Sequence, residues 1–485
     1  MTIIKKMKEF YFTKHIFHFR VISTCTARGK EMISNISSKY FKAFENIDMQ
    51  IRPITLIVGP NNSGKSSVLA IPRMLSQTLQ SYDNNIPLLL NGYLGDFGTY
   101  KDITFGNVIR RGIEIKINVF KTSTRPFFLN SFRRSGIDPD AEIVFFFKYK
   151  YRTKFREIVL REIIIESNGK NLITITRSDD SENYVLNTLN NVTIPTELRS
   201  SLSKNMRVFN FLPRSLLLSL EMQNNQKLKD LITEETLSVA RILSPLCDIL
   251  QKDLIDMEYL GAMRSAPLRS YLYSGEKHTK VGVAGENTAN ILAMDDIKGE
   301  KKSKKLISKI SNWLYKAGIA TDLKINHLSD RHYEIKIQHP ITKEYENYAD
   351  VGYGNSQIIP VLTAGYNMNP GNTLIIEEPE IHLHPKAQAE LADFFLDMYK
   401  DKKIVIAETH SEHLIVRLQQ YIASRLIPEK DIVVYYSHYI NDKKALIKLE
   451  LDELGNFKQP WPEGFFPQRL EEAKALAKAR HSRSS

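Results

Sequence analysis

The run Gly59-Pro60-Asn61-Asn62-Ser63-Gly64-Lys65-Ser66-Ser67 has the spacing G-x-x-x-x-G-K-[ST] and lies between an apolar run, Ile54–Val58, and a helix-forming stretch that opens at Ser66. Each residue type has a task in that pattern. The glycines let the backbone N–H groups of the loop, from Asn61 and Asn62 through Ser63 and Gly64 to Ser67, wrap phosphate oxygens. Lys65 reaches the β- and γ-oxygens, and the Ser66 hydroxyl ligates Mg²⁺. A glycine turn that only joined a strand to a helix would need neither the lysine nor the fixed spacing. The loop is therefore expected to hold a nucleoside triphosphate.

Hydrolysis asks for acidic groups as well, and the second half of the chain offers them. Thr373-Leu-Ile-Ile376 is an apolar strand pattern that ends in Glu377-Glu378-Pro-Glu380. Glu377 is expected to hold the magnesium water shell, and Glu378 to orient or deprotonate the attacking water. Neighbours on a strand point to opposite faces, so the two are given different roles. Two further elements belong with these. In Asp350-Val-Gly-Tyr-Gly354-Asn-Ser356-Gln357, glycines permit close backbone approach, and Ser356 and Gln357 open a helix whose positive end suits a γ-phosphate. In Glu408-Thr-His410-Ser, which follows the strand pattern of residues 403–407, His410 is placed to contact the γ-phosphate or the attacking water. His382 and His384 have a strand-like HxH spacing, but no third ligand stands at a recognisable distance, which disfavours a metal site there.

Two strand-rich regions must position these groups. Residues 33–58 alternate as two or three short strands before the loop, and residues 111–190 carry strand runs split by turn-forming stretches such as Ser167-Asn-Gly-Lys-Asn171. That second region predicts an antiparallel β lobe. Helical periodicity is read from about 198 to 255, cut by Pro213 and Pro245. A second α/β half is expected from about residue 331, with apolar strands leading into polar turns and then helices. A parallel sheet with its site at the carboxyl ends of the strands has this order.

The 485-residue chain is long enough for about two to four domains. No apolar run reaches the roughly 20 residues needed to cross a bilayer. Residues 1–31 are basic and aromatic without a secretory core, and are read as a cytoplasmic extension, with Met32 as an alternative start. Cys25 and Cys247 lie too far apart to suggest a CxxC site. A formal charge of +12 makes attraction to a polyanion plausible, with basic stretches at 148–156 and 298–305. A solvated surface explains those stretches equally well.

The four elements in this order resemble the ATP-binding-cassette type of P-loop ATPase found in RecF, SMC and OLD-family proteins. Residues 59–67 are similar to that group's Walker A motif, 374–380 to its Walker B, 352–357 to its signature loop and 408–413 to its histidine switch. The stretch Lys448–Phe466, with Trp461-Pro-Glu-Gly-Phe-Phe466, is similar to a C-terminal segment of bacterial AAA-family ATPases. The resemblance implies a P-loop fold of ABC type with an inserted antiparallel β lobe and a helical insertion. It divides the chain into an extension (1–32), a first ATPase lobe (33–110), an insertion (111–255), a second ATPase lobe (256–450) and a tail (451–485).

It also implies ATP and Mg²⁺ as ligands, and a homodimer or higher oligomer that clamps ATP between the phosphate loop of one copy and Gly354 or Ser356 of the other. Three features depart from the family pattern. Glu377 replaces the usual aspartate, the signature matches only in part, and Gly95–Asp102 stands where a glutamine is usual. Arg264 and Arg269 fit phosphate, DNA or the surface. His382 and His384 fall where the family has a loop at its dimer interface.

Relatives of this likeness serve in bacterial anti-phage systems of the Septu, PARIS or retron-associated kind, which implies a sensor or scaffold ATPase acting with an effector. The 75 residues after His410 carry no DxD cluster and fall below the roughly 100 residues usual for a domain, so the nuclease is expected on a separate protein. A RecF-like ATPase that clamps DNA is the alternative. A transporter ATPase is disfavoured by the long insertion between Lys65 and Glu377.

Overall fold

The computed structural model describes residues 32–120, 141–178, 183–189, 192–194, 206–216, 234–299, 305–440 and 443–460, with a few single residues between. Strands β1 (Met32–Phe41) and β2 (Phe44–Gln50) form a hairpin; β3 (Ile54–Val58) runs into the phosphate loop and α1 (Lys65–Leu79) leaves it. Strands β4 (Ile113–Phe120), β5 (Ile143–Arg152), β6 (Glu157–Ser167), β7 (Lys170–Arg177), β8 (Tyr184–Leu189) and β9 (Val192–Thr193) follow, then α2 (Glu234–Asp256) and β10 (Glu258–Leu260). The remainder alternates: α3 (Thr288–Gly299), α4 (Lys305–Ala317), α5 (Tyr353–Asn367), β11 (Thr373–Glu377), α6 (Pro385–Lys400), β12 (Ile404–Glu408), α7 (Glu412–Ala423), β13 (Ile432–Ile440) and β14 (Lys443–Leu449).

One sheet of 14 strands unites both halves of the sequence, in the order β9-β8-β7-β6-β5-β4-β1-β2-β14-β13-β3-β12-β11-β10. From β13 to β10 neighbouring strands are parallel; from β9 to β2 they are antiparallel. The two regimes follow from burial. All five residues of β3 and all five of β12 are buried, because helices cover both faces of the parallel part. Ile57, Ile375, Ile406 and Val433 face a core shared with α1 and α2. Leu56, Ile376, Val405 and Val434 face a second core built with helices α3 to α7.

The antiparallel lobe instead alternates. Ile113, Ile115, Ile117 and Val119 of β4 are buried with Phe145 and Phe147 of β5, while Glu114 and Lys116 lie on the other face. Helix α2 packs Leu243, Cys247, Leu250 and Leu254 into that first core.

Two expectations change here. Within the stretch read as helical, 198–255, Met206–Phe209 and Leu212–Leu216 form a β-hairpin, and Pro245 sits inside α2. The run around residue 331 does not begin the parallel half. His332–Gln338 is the middle strand of a separate four-stranded antiparallel sheet with Tyr271–Leu272, Asp322–His327 and Tyr345–Asn347. Its residues are buried in alternation, as on a sheet with one packed face. The parallel half begins earlier, at β10, whose three residues are too few to show a period. Among the described residues no helix is long and apolar enough to cross a membrane. The tail after residue 460, including Trp461–Phe466, and the extension 1–31 with Cys25 lie outside the described residues.

Candidate functional site

The phosphate loop begins where β3 emerges from the sheet. Gly59 has φ 150°, and a Cβ there would stand 2.3 Å from the carbonyl oxygen of Ser437 on β13, so only glycine fits the exit. Gly64, with φ 101°, lies against the Phe44 ring. Pro60, Asn61, Asn62 and Ser66 are exposed, whereas Ser63 and Lys65 are buried. No side chain caps the amino end of α1, which leaves its first N–H groups and the positive end of its dipole directed at the loop. The loop thus joins a buried strand end to an uncapped helix start, with Pro60, Asn61, Asn62 and Ser66 on its open side.

The Lys65 ammonium donates to the carbonyl oxygens of Gly59 and Pro60, both at 3.1 Å, and lies 3.6 Å from Glu408 Oε1. The Ser66 hydroxyl donates to Glu408 Oε2 at 3.1 Å. Burial lowers the Lys65 pKa, opposed chiefly by the charge of Glu408. Burial, aided by the negative charge of Glu377, pushes the Glu408 carboxyl up to about 7 against the pull of Lys65 and the Ser66 hydrogen bond. Glu408 was legible in the sequence only as part of a motif. No feature of the local pattern shows that its strand lies beside β3.

Glu377 ends β11 and pairs in register with Glu408 at the end of β12, so the two side chains start from the same face of the sheet. Its carboxylate is engaged elsewhere. Oε1 accepts from Arg73 Nη1 at 3.1 Å and from the Tyr259 hydroxyl at 2.9 Å. The Arg73 guanidinium carbon lies 3.7 Å from the centre of the Tyr259 ring, and its Nε and Nη2 donate to Leu94 O. Leu94 precedes the Gly95–Asp102 segment, where Thr99 and Asp102 form a capping box around a single helical turn. Arg73 and Tyr259 were not foreseen. An arginine inside an amphipathic helix and a tyrosine in a three-residue strand carry no distinguishing local signal.

Glu378 does not continue the strand alternation expected for it. Its φ of 45° turns the chain, its N–H donates to Glu408 O at 2.8 Å, and its side chain returns toward the loop. A carboxylate oxygen of Glu378, one of Glu408 and a ring nitrogen of His410 lie within 4.8 Å of one another. Burial, and after it the charge of Lys65, lowers the His410 pKa, which favours a neutral imidazole. The His410 N–H donates to Glu380 Oε1, and burial raises the pKa of Glu380.

The signature turn is held from inside. Ser356 and Gln357 lie in the first turn of α5 and are 1% and 2% exposed, so Ser356 does not face outward as a contact in trans would require. Among the described residues of the turn, Asp350 and Gly352 are exposed. Gly354 is packed so closely that a Cβ would stand 2.4 Å from His382 O, joining this turn to the segment after β11.

Arg264 is buried and donates to Glu377 O at 2.8 Å, Glu378 O at 3.2 Å and Gln357 O at 3.4 Å. It therefore braces the site and is not available to DNA, while Arg269 is an exposed ion-pair partner of Asp350. His384 caps α6 and His382 adopts a φ of 61°; neither belongs to a three-ligand group among the described residues. In the basic stretch 148–156, Lys148 pairs with Glu114 and Arg152 with Glu157, and most of 298–305 lies outside the described residues.

The donor set suits a magnesium-bound triphosphate. A hydroxyl and carboxylates supply hard oxygen ligands, and they stand beside a buried ammonium and an uncapped helix amino end. Comparison with known proteins agrees at the level of family. The AAA ATPase domain family matches residues 32–415. None of the curated proteins compared with the chain matches its sequence.

Among solved structures, the chain is similar to a SmcHead bound to the C-winged helix domain of ScpA, at 13% identity and TM-score 0.43, covering 87% of this chain and 98% of that one. It is also similar to the Smc head domain with an extended coiled coil from Pyrococcus furiosus, at 12% identity and TM-score 0.41, covering 93% and 100%. A third is the SMC head domain from Thermotoga maritima, at 10% identity and TM-score 0.37, covering 87% and 100%.

Proposed function

The chain belongs to the AAA ATPase domain family, and we propose that it binds ATP with Mg²⁺ at the phosphate loop and hydrolyses the terminal phosphate. The observation that carries this reading is the convergence of Lys65 and Ser66 on Glu408, with Glu378 and His410 beside them. Backbone N–H groups from Asn61 to Ser67 bind the phosphates, and Lys65 neutralises the β- and γ-oxygens. Ser66 and a carboxylate at the strand ends would hold Mg²⁺, which would supply positive charge against the charge that develops on the phosphate.

Glu378, turned toward the loop by its positive φ, orients the attacking water and accepts its proton as the new bond to the γ-phosphorus forms and the bond to ADP breaks. Neutral His410 positions that water or a γ-oxygen. The test is binding of a fluorescent ATP analogue together with phosphate release. Lys65→Ala should lose both, and wild-type protein that binds no nucleotide would refute the reading.

We further propose that two copies enclose the nucleotide. The open side of the loop and the outward position of Gly352 support this; the partner's contact would come from the backbone of that turn. The role as sensor or scaffold in anti-phage defence, with the nuclease on a separate protein, rests on the motif resemblance.

A further inference from the structure

We propose that Arg264 is a positioning residue for hydrolysis: its guanidinium ties the turn that carries Glu378 to the first turn of α5, so that the base is in place only when the signature turn is seated. This assignment rests on the reading of the phosphate loop as a nucleotide site with Glu378 as the base.

Three observations carry it. The first is where the segment after β10 emerges. Strand β10 pairs in parallel with β11, Leu260 beside Ile376, so the chain leaves β10 at the same end of the sheet at which Glu377 ends β11. Two backbone hydrogen bonds fix the segment on either side of the arginine, from the Gly261 N–H to Val283 O at 2.9 Å and from the Ser265 N–H to Ala284 O at 2.8 Å. Arg264 therefore reaches the site from a clamped backbone.

The second is what the guanidinium holds. Nη2 donates to two successive carbonyls, Glu377 O at 2.8 Å and Glu378 O at 3.2 Å, while Nη1 donates to Gln357 O at 3.4 Å. Glu378 has a φ of 45°, a conformation that costs free energy in a residue with a Cβ and persists only where its surroundings fix it. Its N–H is held by Glu408 O on one side, and its carbonyl by Arg264 on the other. A planar fork can span the two elements in this way, whereas a lysine ammonium is a point donor on a flexible stem.

The third is charge. Arg264 is 5% exposed, and burial lowers its guanidinium to about 10, opposed by the charges of Glu380, then Glu378 and Glu377. It therefore stays cationic at neutral pH, and attraction to the acidic turn adds to the hydrogen bonds that join that turn to α5.

The experiment compares full-length wild type, Arg264→Lys and Arg264→Gln, each also combined with Glu378→Gln, at a temperature where circular dichroism shows them folded. MANT-ATP affinity with Mg²⁺ and single-turnover hydrolysis are measured. Arg264→Lys should keep affinity within about threefold while the rate falls by about tenfold or more, and Arg264→Gln should fall at least as far. In the Glu378→Gln background, Arg264→Lys should lower the remaining rate by less than about twofold, because residues that act through one step are not additive. A rate unchanged in both Arg264 variants, or one that falls by the same factor with and without Glu378, overturns the assignment and leaves the nucleotide site standing. Should neither variant fold, hydrogen exchange of the wild type decides: the segments 353–358 and 376–380 should gain protection together when MANT-ATP binds, and protection of one alone overturns the assignment. Absence of MANT-ATP binding by the wild type overturns the site reading and the assignment together.

Discussion

The Arg73 guanidinium lies over the Tyr259 ring, its carbon 3.7 Å from the ring centre, and both residues donate to the same oxygen of Glu377. Three segments far apart in sequence meet there: helix α1, the short strand β10 and the end of β11. Replacing Arg73 by Met would keep much of the packing on Tyr259 but leave the largely buried Glu377 without its cation, with only the Tyr259 hydroxyl still donating to it. Destabilisation of about 3 kcal/mol is expected by urea unfolding. Tyr259→Phe keeps the ring and removes one hydrogen bond, and should cost about 1 kcal/mol.

Glu378 is the proposed base. Glu378→Gln retains shape and hydrogen-bonding capacity without the ability to take a proton. ATP binding should be near normal, and single-turnover hydrolysis should be slower by about 10² to 10⁴. The variant should accumulate in its nucleotide-bound, self-associated form, measured by light scattering. Hydrolysis at the wild-type rate would remove Glu378 from its role.

Glu258 offers a pH test that is independent of the nucleotide. Only 3% exposed on β10, it accepts the Val281 N–H at 2.7 Å, and burial raises its carboxyl to about 7, partly offset by that hydrogen bond and by Lys280. Because the folded value lies above the unfolded value near 4.5, the folded state holds the proton more tightly. Stability from this group is complete below pH 4.5 and is lost as pH rises through 7. Glu258→Gln preserves the acceptor and avoids the buried charge. The variant should be more stable than wild type by about 1 to 3 kcal/mol above pH 7, with the gain vanishing near pH 4.5.

Cys247 is buried in the core against α2's neighbours, and burial pushes its thiol pKa far up. In a Cys25→Ser background, Cys247 is the only thiol in the chain. Ellman's reagent should leave the native protein unmodified for hours and label one thiol on unfolding in guanidinium. Rapid labelling of the native form would contradict the placement of α2.

Gly354 has no room for a methyl group, since its Cβ would meet His382 O at 2.4 Å. Gly354→Ala should separate the signature turn from the segment after β11. Nucleotide binding should persist while steady-state hydrolysis falls at least about tenfold, as expected when positioning and not binding is lost.

The chemistry of the site was more legible in the sequence than its assembly. The phosphate loop could be read outright, because Gly59, Gly64, Lys65 and Ser66 act through local backbone geometry. The strands read at 373–376 and 403–407 were legible from the apolar runs 374–376 and 404–407, the mark of burial on two faces. Glu408 was visible as a residue without a role, since its contacts with Lys65 and Ser66 depend on β12 lying between β3 and β11. Ser356, read as the opening of a helix, is buried because α5 begins earlier, at Tyr353. Strand alternation misplaced Glu378 for a similar reason: the positive φ that reverses it has no signature in a glutamate. The hairpin at 206–216 was read as helix because its two strands, of four and five residues, are too short to set a period of two against one of 3.6.

The floor beneath Gly59 comes from β13, where Ser437 O closes the loop's exit and the Ser437 hydroxyl donates to Ser63 O at 2.9 Å. During synthesis the loop therefore leaves the ribosome long before the strand that shapes it, and the nascent chain carries the motif without its floor until β13 has emerged. The proposed nucleotide capture would then wait on β13, and a product truncated before Ser437 is expected to bind none although it retains every residue of the loop.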